Sequence, residues 1–273
     1  MNYKKYVILK KTKKWFFDVF RKRNADENRK VIILNSIPKS GTHLLHQVLA
    51  PLSFRDFGGF IASTPSFTMK ERSDDSLAKE IEKLYSKELM SAHMFYSSCL
   101  EEKILESKAC MIFIYRDPRD IFLSEINYLS NMNKFHKLNN YYKKCKNFNE
   151  KFDLCLNGIN TEDFYYPCFS ERIEKYIGWL DSDSCIAVSF ENLRNSESIE
   201  HELFRIGEHL TQRLLWDSDI ENFVSASKKT INPAASHTFS GGKVGRWKRE
   251  LDTQQINLLN KHLDRQLQIM GFS

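Results

Sequence analysis

Apolar and β-branched residues recur along this chain in short continuous runs, a pattern typical of strands that are buried on both faces. These runs predict strands over residues 31–36, 88–93, 110–115 and 185–190. Apolar positions spaced three and four apart predict helices over residues 42–50, 74–86, 118–129, 170–180, 197–210 and 253–269. Strands that alternate with helices indicate an α/β protein with a mainly parallel central sheet flanked by helices.

Two segments, 52–73 and 130–168, lack a clear hydrophobic period. The first contains Gly58-Gly59 and several phenylalanines, and the second is rich in Asn, Lys and aromatic residues. We predict both to be irregular binding segments, because long loops in compact domains are often functional. With no internal repeat or low-complexity linker between them, the whole chain, 1–273, is predicted to form a single domain.

The N-terminal segment, residues 1–29, is basic and contains two short apolar clusters. One interpretation is an arm or helix that packs on the domain and keeps its lysines in solvent. The other is an amphipathic segment that touches a membrane or a partner. The sequence leaves both open.

Composition narrows the class of protein. The chain has 273 residues, of which 41% are hydrophobic and 13% aromatic, so it should fold with a well-buried core. A net charge of +6 suits an anionic ligand and does not call for nucleic acid. No apolar run is long enough to span a bilayer, and the six cysteines form no CxxC pair. We therefore expect a cytoplasmic protein with reduced thiols.

A short polar loop joins the predicted strand 31–36 to the predicted helix 42–50. Amide groups at the start of a helix have no partner within it, and the helix dipole is positive there, so this place suits a phosphate. The loop is not a Walker A motif, because its lysine precedes its single glycine. An ordinary turn with a surface lysine is the alternative. The candidate anion-binding residues are Lys39, Ser40, Gly41, Thr42 and His43.

A second motif follows the predicted strand 110–115. Arg116 ends the strand, Asp117-Pro118 is a typical helix start, and Ser124 lies two turns into the helix. An arginine suits phosphate binding because its planar fork meets two oxygens at once. The alternative is a surface set of ion pairs that Arg116 and Arg119 make with neighbouring aspartates.

A third motif is the basic segment 241–248, which holds three glycines and Trp247. Glycines in such a segment allow backbone amides to wrap a phosphate. A flexible surface turn is the alternative. The candidate residues are Gly242, Lys243 and Gly245.

His93 ends the predicted strand 88–93, where it would face the same sheet edge as the first two motifs. An imidazole can serve as a general base because its pKa lies near neutral pH. A lone histidine is more often structural, and His43 and His46 are rivals for the role.

Together these motifs resemble those of the sulfotransferases that use 3′-phosphoadenosine 5′-phosphosulfate (PAPS), and they follow that family's order from about residue 31 to about residue 250. The first motif resembles the family's 5′-phosphosulfate loop, the second its 3′-phosphate site, and the third its C-terminal PAPS-binding loop. The resemblance implies a P-loop NTPase-like sulfotransferase fold. It also implies PAPS as co-substrate and 3′-phosphoadenosine 5′-phosphate (PAP) as product.

The resemblance implies roles for single residues. His93 would be the base, and Lys39 would stabilise the leaving phosphate. Phe190 would lie near the adenine, and Ser225 would replace a threonine that reaches it. The segment 228–247 would close over the nucleotide. We expect no metal, because lysine and backbone amides supply the positive charge.

The chain departs from the family pattern at several positions. Ser240 and Gly241 stand where the family has Arg and Lys, and Arg246 stands where it has Asp. The sequence leaves open whether Lys243 or Arg246 supplies the missing charge. Leu44 replaces the tryptophan that stacks on adenine. A serine, Ser91, also replaces the lysine that usually precedes the base.

The acceptor expected from the resemblance is a small-molecule alcohol, phenol or amine, such as a secondary metabolite, held by segments 52–73 and 130–168. The sequence leaves a homodimer open. Two rival functions also stay open: a nucleotide kinase-like P-loop enzyme, and a catalytically silent protein that only binds nucleotide.

Overall fold

A computed structural model of the chain describes residues 30–214, 219–232 and 244–272. Its centre is a sheet of five parallel strands. In chain order the strands are β1 (Val31–Ser36), β2 (Arg55–Ala62), β3 (Glu88–His93), β4 (Cys110–Tyr115), the hairpin strands β5 (Ile159–Thr161) and β6 (Phe164–Tyr166), and β7 (Cys185–Ser189). The sheet order is β2-β3-β1-β4-β7, while β5 and β6 form a separate antiparallel pair.

Helices cover both faces of this sheet. In chain order they are α1 (Thr42–Val48), α2 (Asp74–Glu82), α3 (Ser98–Glu106), α4 (Pro118–Asn127), α5 (Asn139–Lys144), α6 (Phe148–Asn157), α7 (Phe169–Ile177), α8 (Phe190–Arg194), α9 (Ile199–Leu214), α10 (Ile220–Thr230), α11 (Trp247–Glu250) and α12 (Thr253–Met270). Short 3₁₀ turns cover Ala50–Leu52 and Gly178–Leu180, and a π-helical turn, Tyr128–Met132, extends α4.

Alternation along the strands divides the core into two layers. In β1, Val31 and Ile33 face one apolar layer, while Ile32 and Leu34 face the other. Every residue of β1 is buried, because strands lie on both sides of it and helices cover both faces. This explains why the inner strands are continuous apolar runs.

The predicted α/β architecture with a mainly parallel sheet is confirmed. Predicted strands 31–36, 88–93 and 110–115 coincide with β1, β3 and β4, and the fourth predicted strand ends one residue later than β7. The predicted helices are also present, with ends that differ by a few residues.

The prediction of irregular structure in segments 52–73 and 130–168 is wrong for much of their length. The first contains the edge strand β2, whose pairing with β3 shifts register between Asp56 and Phe60. The second contains α5, α6 and the β5–β6 hairpin. These elements are short and mix apolar with polar residues, so they leave a weak periodic signal.

The predicted N-terminal segment, 1–29, lies outside the described residues. None of the helices in the described ranges is long and apolar enough to cross a membrane. All six cysteines are described, and each is a free thiol.

Candidate active site

The motif residues meet at one edge of the sheet. Because β1, β3 and β4 are parallel and adjacent, the loop after β1, His93 at the end of β3 and Arg116 after β4 emerge on the same side. This is the edge at which open α/β sheets bind ligands.

Ser40 anchors the loop that follows β1. Its side chain is fully buried, and its hydroxyl lies 2.7 Å from the carbonyl oxygen of Ile37 and 2.8 Å from that of Ile114. The backbone N–H of Ser40 also donates to the Ile37 carbonyl, at 3.1 Å. In this conformation Ser40 ties the loop to the end of β4, and a contact from Ser40 to a phosphate remains a prediction.

Gly41 is required by the loop geometry. Its φ is +120°, a conformation that L side chains rarely adopt, and a Cβ atom there would lie 2.6 Å from Cδ2 of Phe190. The guanidinium carbon of Arg116 lies 4.3 Å from the centre of the same Phe190 ring. Phe190 is buried between the loop and Arg116, and its predicted place beside an adenine remains untested.

Lys39 lies in the same loop with a left-handed φ of 72°. Its ammonium nitrogen is 4.4 Å from the centre of the Tyr128 ring. Burial is the main cause that lowers the pKa of Lys39 from 10.5 to about 8; the charge of Arg116 contributes in the same direction, and Glu125 partly opposes them. The protonated form of Lys39 is therefore less stable than it is in water, and an anion bound beside it would favour that form.

His93 is held in a defined orientation at the end of β3. Its Nδ1 lies 2.8 Å from the backbone oxygen of Ser36 and 3.0 Å from the Ser36 hydroxyl. Burial is the main cause that lowers the pKa of His93 from 6.5 to about 4, so the ring is neutral at pH 7. A neutral ring whose Nδ1–H donates to a carbonyl keeps its lone pair on Nε2. That nitrogen can accept a proton.

Asn35 positions the chain beside His93, a role that the sequence analysis missed. The side chain is fully buried, accepts from the Met94 N–H at 2.8 Å and donates to the Met94 carbonyl at 3.2 Å. The Trp179 indole also donates to that carbonyl, at 2.8 Å. A single amide in an otherwise apolar run was the available signal, since a buried polar group needs partners.

The second and third motifs meet at Asp120, which is fully buried. Its carboxylate accepts from Arg116 at 2.9 Å, from the Gly245 N–H at 2.9 Å and from the Trp247 N–H at 3.2 Å. This one side chain thus joins the start of α4 to the glycine-containing segment. The sequence analysis had considered Asp120 only as an ion-pair partner.

A parallel set of contacts fixes Trp247. Its indole N–H donates to Asp117 at 3.0 Å, and the guanidinium of Arg119 lies 3.9 Å from its ring centre. Arg119 in turn pairs with Asp117 at 2.9 Å. The ion pairs proposed as the alternative for this motif therefore exist, but they are buried and hold the third motif in place, so they are not a surface feature.

Several predicted site residues stand apart from these contacts. Ser124 is buried on α4, one turn after Asp120. Ser225 is exposed on α10, in a groove with Phe204 and Lys228, so the structure does not bring it to the residues above. Gly242 and Lys243 lie outside the described residues, as do Ser240 and Gly241.

The rival histidines occupy other places. His43 is exposed at the start of α1. His46 lies with its Nε2 2.6 Å from the hydroxyl of Ser91, the residue that stands where the family has a lysine.

The two segments predicted to hold an acceptor contact each other, and the first also contacts the candidate base. The Lys137 N–H donates to the Ser66 carbonyl at 3.1 Å, which links the second segment to the first. The ring of Phe60, on β2, lies 4.3 Å from the His93 ring, centre to centre, and half of the Phe60 surface is exposed. An apolar wall therefore adjoins the candidate base.

The chain is similar to known proteins along most of its length. The model of the sulfotransferase domain family matches residues 29–271. Human sulfotransferase 6B1 is 23% identical over 255 residues, which cover 88% of this chain and 76% of that protein.

Solved structures show the same fold. Mouse sulfotransferase SULT7A1, complexed with PAP, superposes with a TM-score of 0.60 at 17% identity, over 89% of this chain and 86% of that chain. Retinol dehydratase, in a complex with retinol and PAP, superposes with a TM-score of 0.57 at 13% identity, over 87% of this chain and 81% of that chain.

Proposed function

This chain belongs to the sulfotransferase family, and from that premise we propose that it moves the sulfuryl group of PAPS to a hydroxyl or amine of a small molecule. The observation that carries the proposal is the meeting of three motifs at one sheet edge, with a neutral, oriented histidine beside a phosphate-type loop. PAP is bound in both structural relatives described above, which supports PAPS as the donor.

The proposed donor site uses the loop after β1 for the 5′-phosphosulfate, through Lys39, Gly41, Thr42 and His43. Arg116 and Ser124 hold the 3′-phosphate. Support comes from the Asp120 contacts, which bring Gly245 to Arg116 and so join the second and third motifs. Much of segment 228–247, which the resemblance predicts to cover the nucleotide, lies outside the described residues. Among the described residues, Phe190 and Ser40 complete the proposed contacts.

In the proposed mechanism, the oxygen or nitrogen of the acceptor forms a bond to sulfur, and His93 Nε2 takes the proton that this atom loses. The bond between sulfur and the bridging phosphate oxygen breaks, and PAP leaves with the electron pair. Lys39 neutralises the charge that builds on that oxygen, because an ammonium placed there acts most strongly in the transition state. This scheme needs no metal ion, since Lys39, Arg116 and backbone amides supply the positive charge.

We propose that segments 52–73 and 130–168 hold the acceptor. Their mutual contact and the exposed face of Phe60 beside His93 support this assignment. An alcohol, a phenol or an amine would each present the required nucleophile.

The test is a thermal-shift titration with PAP, beside ADP and Mg·ATP. A ligand at 100 times its Kd adds about 2.7 kcal/mol to the free energy of unfolding, which is on the order of 5–10 °C for a domain of this size. We expect the shift with PAP alone, and we expect Arg116→Ala to remove it. An equal shift with Mg·ATP would favour a kinase-like enzyme. PAP binding without transfer to any member of an acceptor panel would favour a silent nucleotide-binding protein.

A further inference from the structure

Ser36, the last residue of β1, lies between a residue of the phosphosulfate loop and the candidate base. Its hydroxyl oxygen is 2.7 Å from Thr42 Oγ1 and 3.0 Å from His93 Nδ1. The side chain is fully buried, and the backbone oxygen of the same residue is 2.8 Å from Nδ1. Ser36 therefore touches both groups that the proposed reaction must coordinate.

A hydroxyl has one proton to donate, so the contacts of Ser36 restrict one another. Nδ1–H of His93 donates toward the Ser36 oxygens, which leaves the Ser36 proton for another acceptor. Two acceptors lie within reach: Thr42 Oγ1 at 2.7 Å and the Ala92 carbonyl at 3.3 Å. Which of them receives the proton depends on what the Thr42 hydroxyl does.

A bound phosphate would settle that choice. Thr42 would then donate its own proton to a phosphate oxygen and would need a donor in return, which Ser36 supplies. The three hydrogen bonds would then run in one direction: His93 donates to Ser36, Ser36 donates to Thr42, and Thr42 donates to the phosphate of the nucleotide. Hydrogen bonds aligned in this way strengthen one another.

We propose that Ser36 is a positioning residue that couples occupancy of the donor site to the orientation of the base. The inference rests on the proposed function, because it takes Thr42 as a donor ligand and His93 as the base. In its terms, a bound nucleotide fixes the Ser36 proton on Thr42, so the Ser36 hydroxyl accepts more strongly from His93 Nδ1–H. This adds to the contact with the Ser36 carbonyl that already orients the ring, and the base is held most firmly once the nucleotide has bound.

The direct test uses ring ¹⁵N chemical shifts of His93, recorded with and without saturating PAP. In the wild type we expect PAP to change the Nδ1 signal while the ring stays protonated at Nδ1. In Ser36→Ala, PAP should still bind, but most of the change at Nδ1 should disappear. Ser36→Thr should restore it, because threonine keeps the hydroxyl and suits a strand.

Ser227→Ala is the matched control. Ser227 is also fully buried, and its hydroxyl donates to the Val48 carbonyl at 2.8 Å, away from His93. This variant loses a buried hydroxyl of the same kind, so it should lower stability comparably and leave the PAP-induced change at Nδ1 intact. A loss of the signal change in both variants would contradict the proposal.

A kinetic cycle provides the second arm. Ser36→Ala and Thr42→Val should each lower the transfer rate at saturating PAPS about tenfold, the effect of one hydrogen bond of roughly 1–1.5 kcal/mol. If the two hydroxyls act as one chain, the double variant should lose little more than either single variant. Additive losses, or an unchanged rate in Ser36→Ala, would overturn the coupling.

These outcomes separate failure of the inference from failure of the proposed function. If PAP does not bind the wild type, or His93→Ala stays fully active, the proposed function itself fails. If PAP binds, His93 is required and Ser36→Ala behaves like the wild type in both arms, only the role of Ser36 is wrong.

Discussion

At the scale of single residues, the charge of Lys39 makes donor binding sensitive to pH. The pKa of Lys39 is lowered to about 8, chiefly by burial. An anionic ligand favours the protonated ammonium and so raises this pKa. Above about pH 8, where free Lys39 is largely neutral, binding must therefore take up a proton. We expect PAP affinity to be constant near pH 7 and to fall from about pH 8 upward, as measured by calorimetry.

Lys39→Arg is the control for this prediction, because a guanidinium stays charged throughout this range. Its PAP affinity should be independent of pH between 7 and 9.5. If the wild type is equally flat, the lysine does not titrate in contact with the ligand.

His93 gives a second prediction at this scale. Replacing it with Ala removes the proposed base, so the rate of transfer at saturating substrates should fall by about 10²–10⁴. PAP affinity, measured by thermal shift, should change little, because His93 is proposed to act on the acceptor. Near-full activity of His93→Ala would exclude the ring as base.

Gly41 gives a third prediction at the scale of single residues. Gly41→Ala meets both an unfavourable φ and the Phe190 ring, so we expect it to lower the free energy of unfolding by more than about 1 kcal/mol. Gly271→Ala separates the two causes, since Gly271 has a φ of +75° and no atom within 4 Å of the added Cβ. Urea unfolding of both variants measures the difference. Equal losses would show that the contact with Phe190 is not limiting.

At the scale of elements, the Asp120 side chain connects α4 to the segment before α11. Asp120→Asn leaves buried Arg116 without its counter-charge and weakens two backbone contacts, so the free energy of unfolding should fall by about 3–5 kcal/mol. Glu200→Gln, which breaks an exposed ion pair with Lys228, is the control and should leave the unfolding midpoint unchanged. Chemical denaturation followed by circular dichroism measures the stability of both variants. A small effect of Asp120→Asn would contradict the role of Asp120 in connecting these two elements.

The sequence was sufficient to predict the inner elements because burial on both faces constrains nearly every residue of β1, β3 and β4. The edge strand β2 was missed because solvent reaches it and Gly58-Gly59 has the composition of a turn.

The candidate site divides in the same way. Lys39, Gly41 and Arg116 were predicted because small residues and charges after an apolar strand have a local signature. The contacts of Asn35 with Met94, of Ser36 with His93 and of Asp120 with Gly245 were not predicted, because each joins residues far apart in the chain.

At the scale of the whole molecule, the parallel sheet brings the motifs together at the carboxyl ends of its strands. The amino ends of the strands, on the opposite side, carry none of them. Hydrogen–deuterium exchange should therefore slow on PAP binding in residues 37–43, 116–124 and 244–248. The loops at the opposite edge, such as 83–87 and 107–109, should exchange unchanged. Protection spread evenly over both edges would indicate general stabilisation and would contradict a single localised site.

The position of Phe60 has a consequence for how new specificities arise. The proposed donor contacts follow inner strands, where a substitution disturbs two packed layers at once, whereas Phe60 lies half exposed on the edge strand β2 while still touching the base. Edge positions tolerate change at lower cost to folding. Directed evolution toward new acceptors should therefore accumulate mutations on β2 and its flanking loops. The residues proposed to bind the nucleotide should stay unchanged.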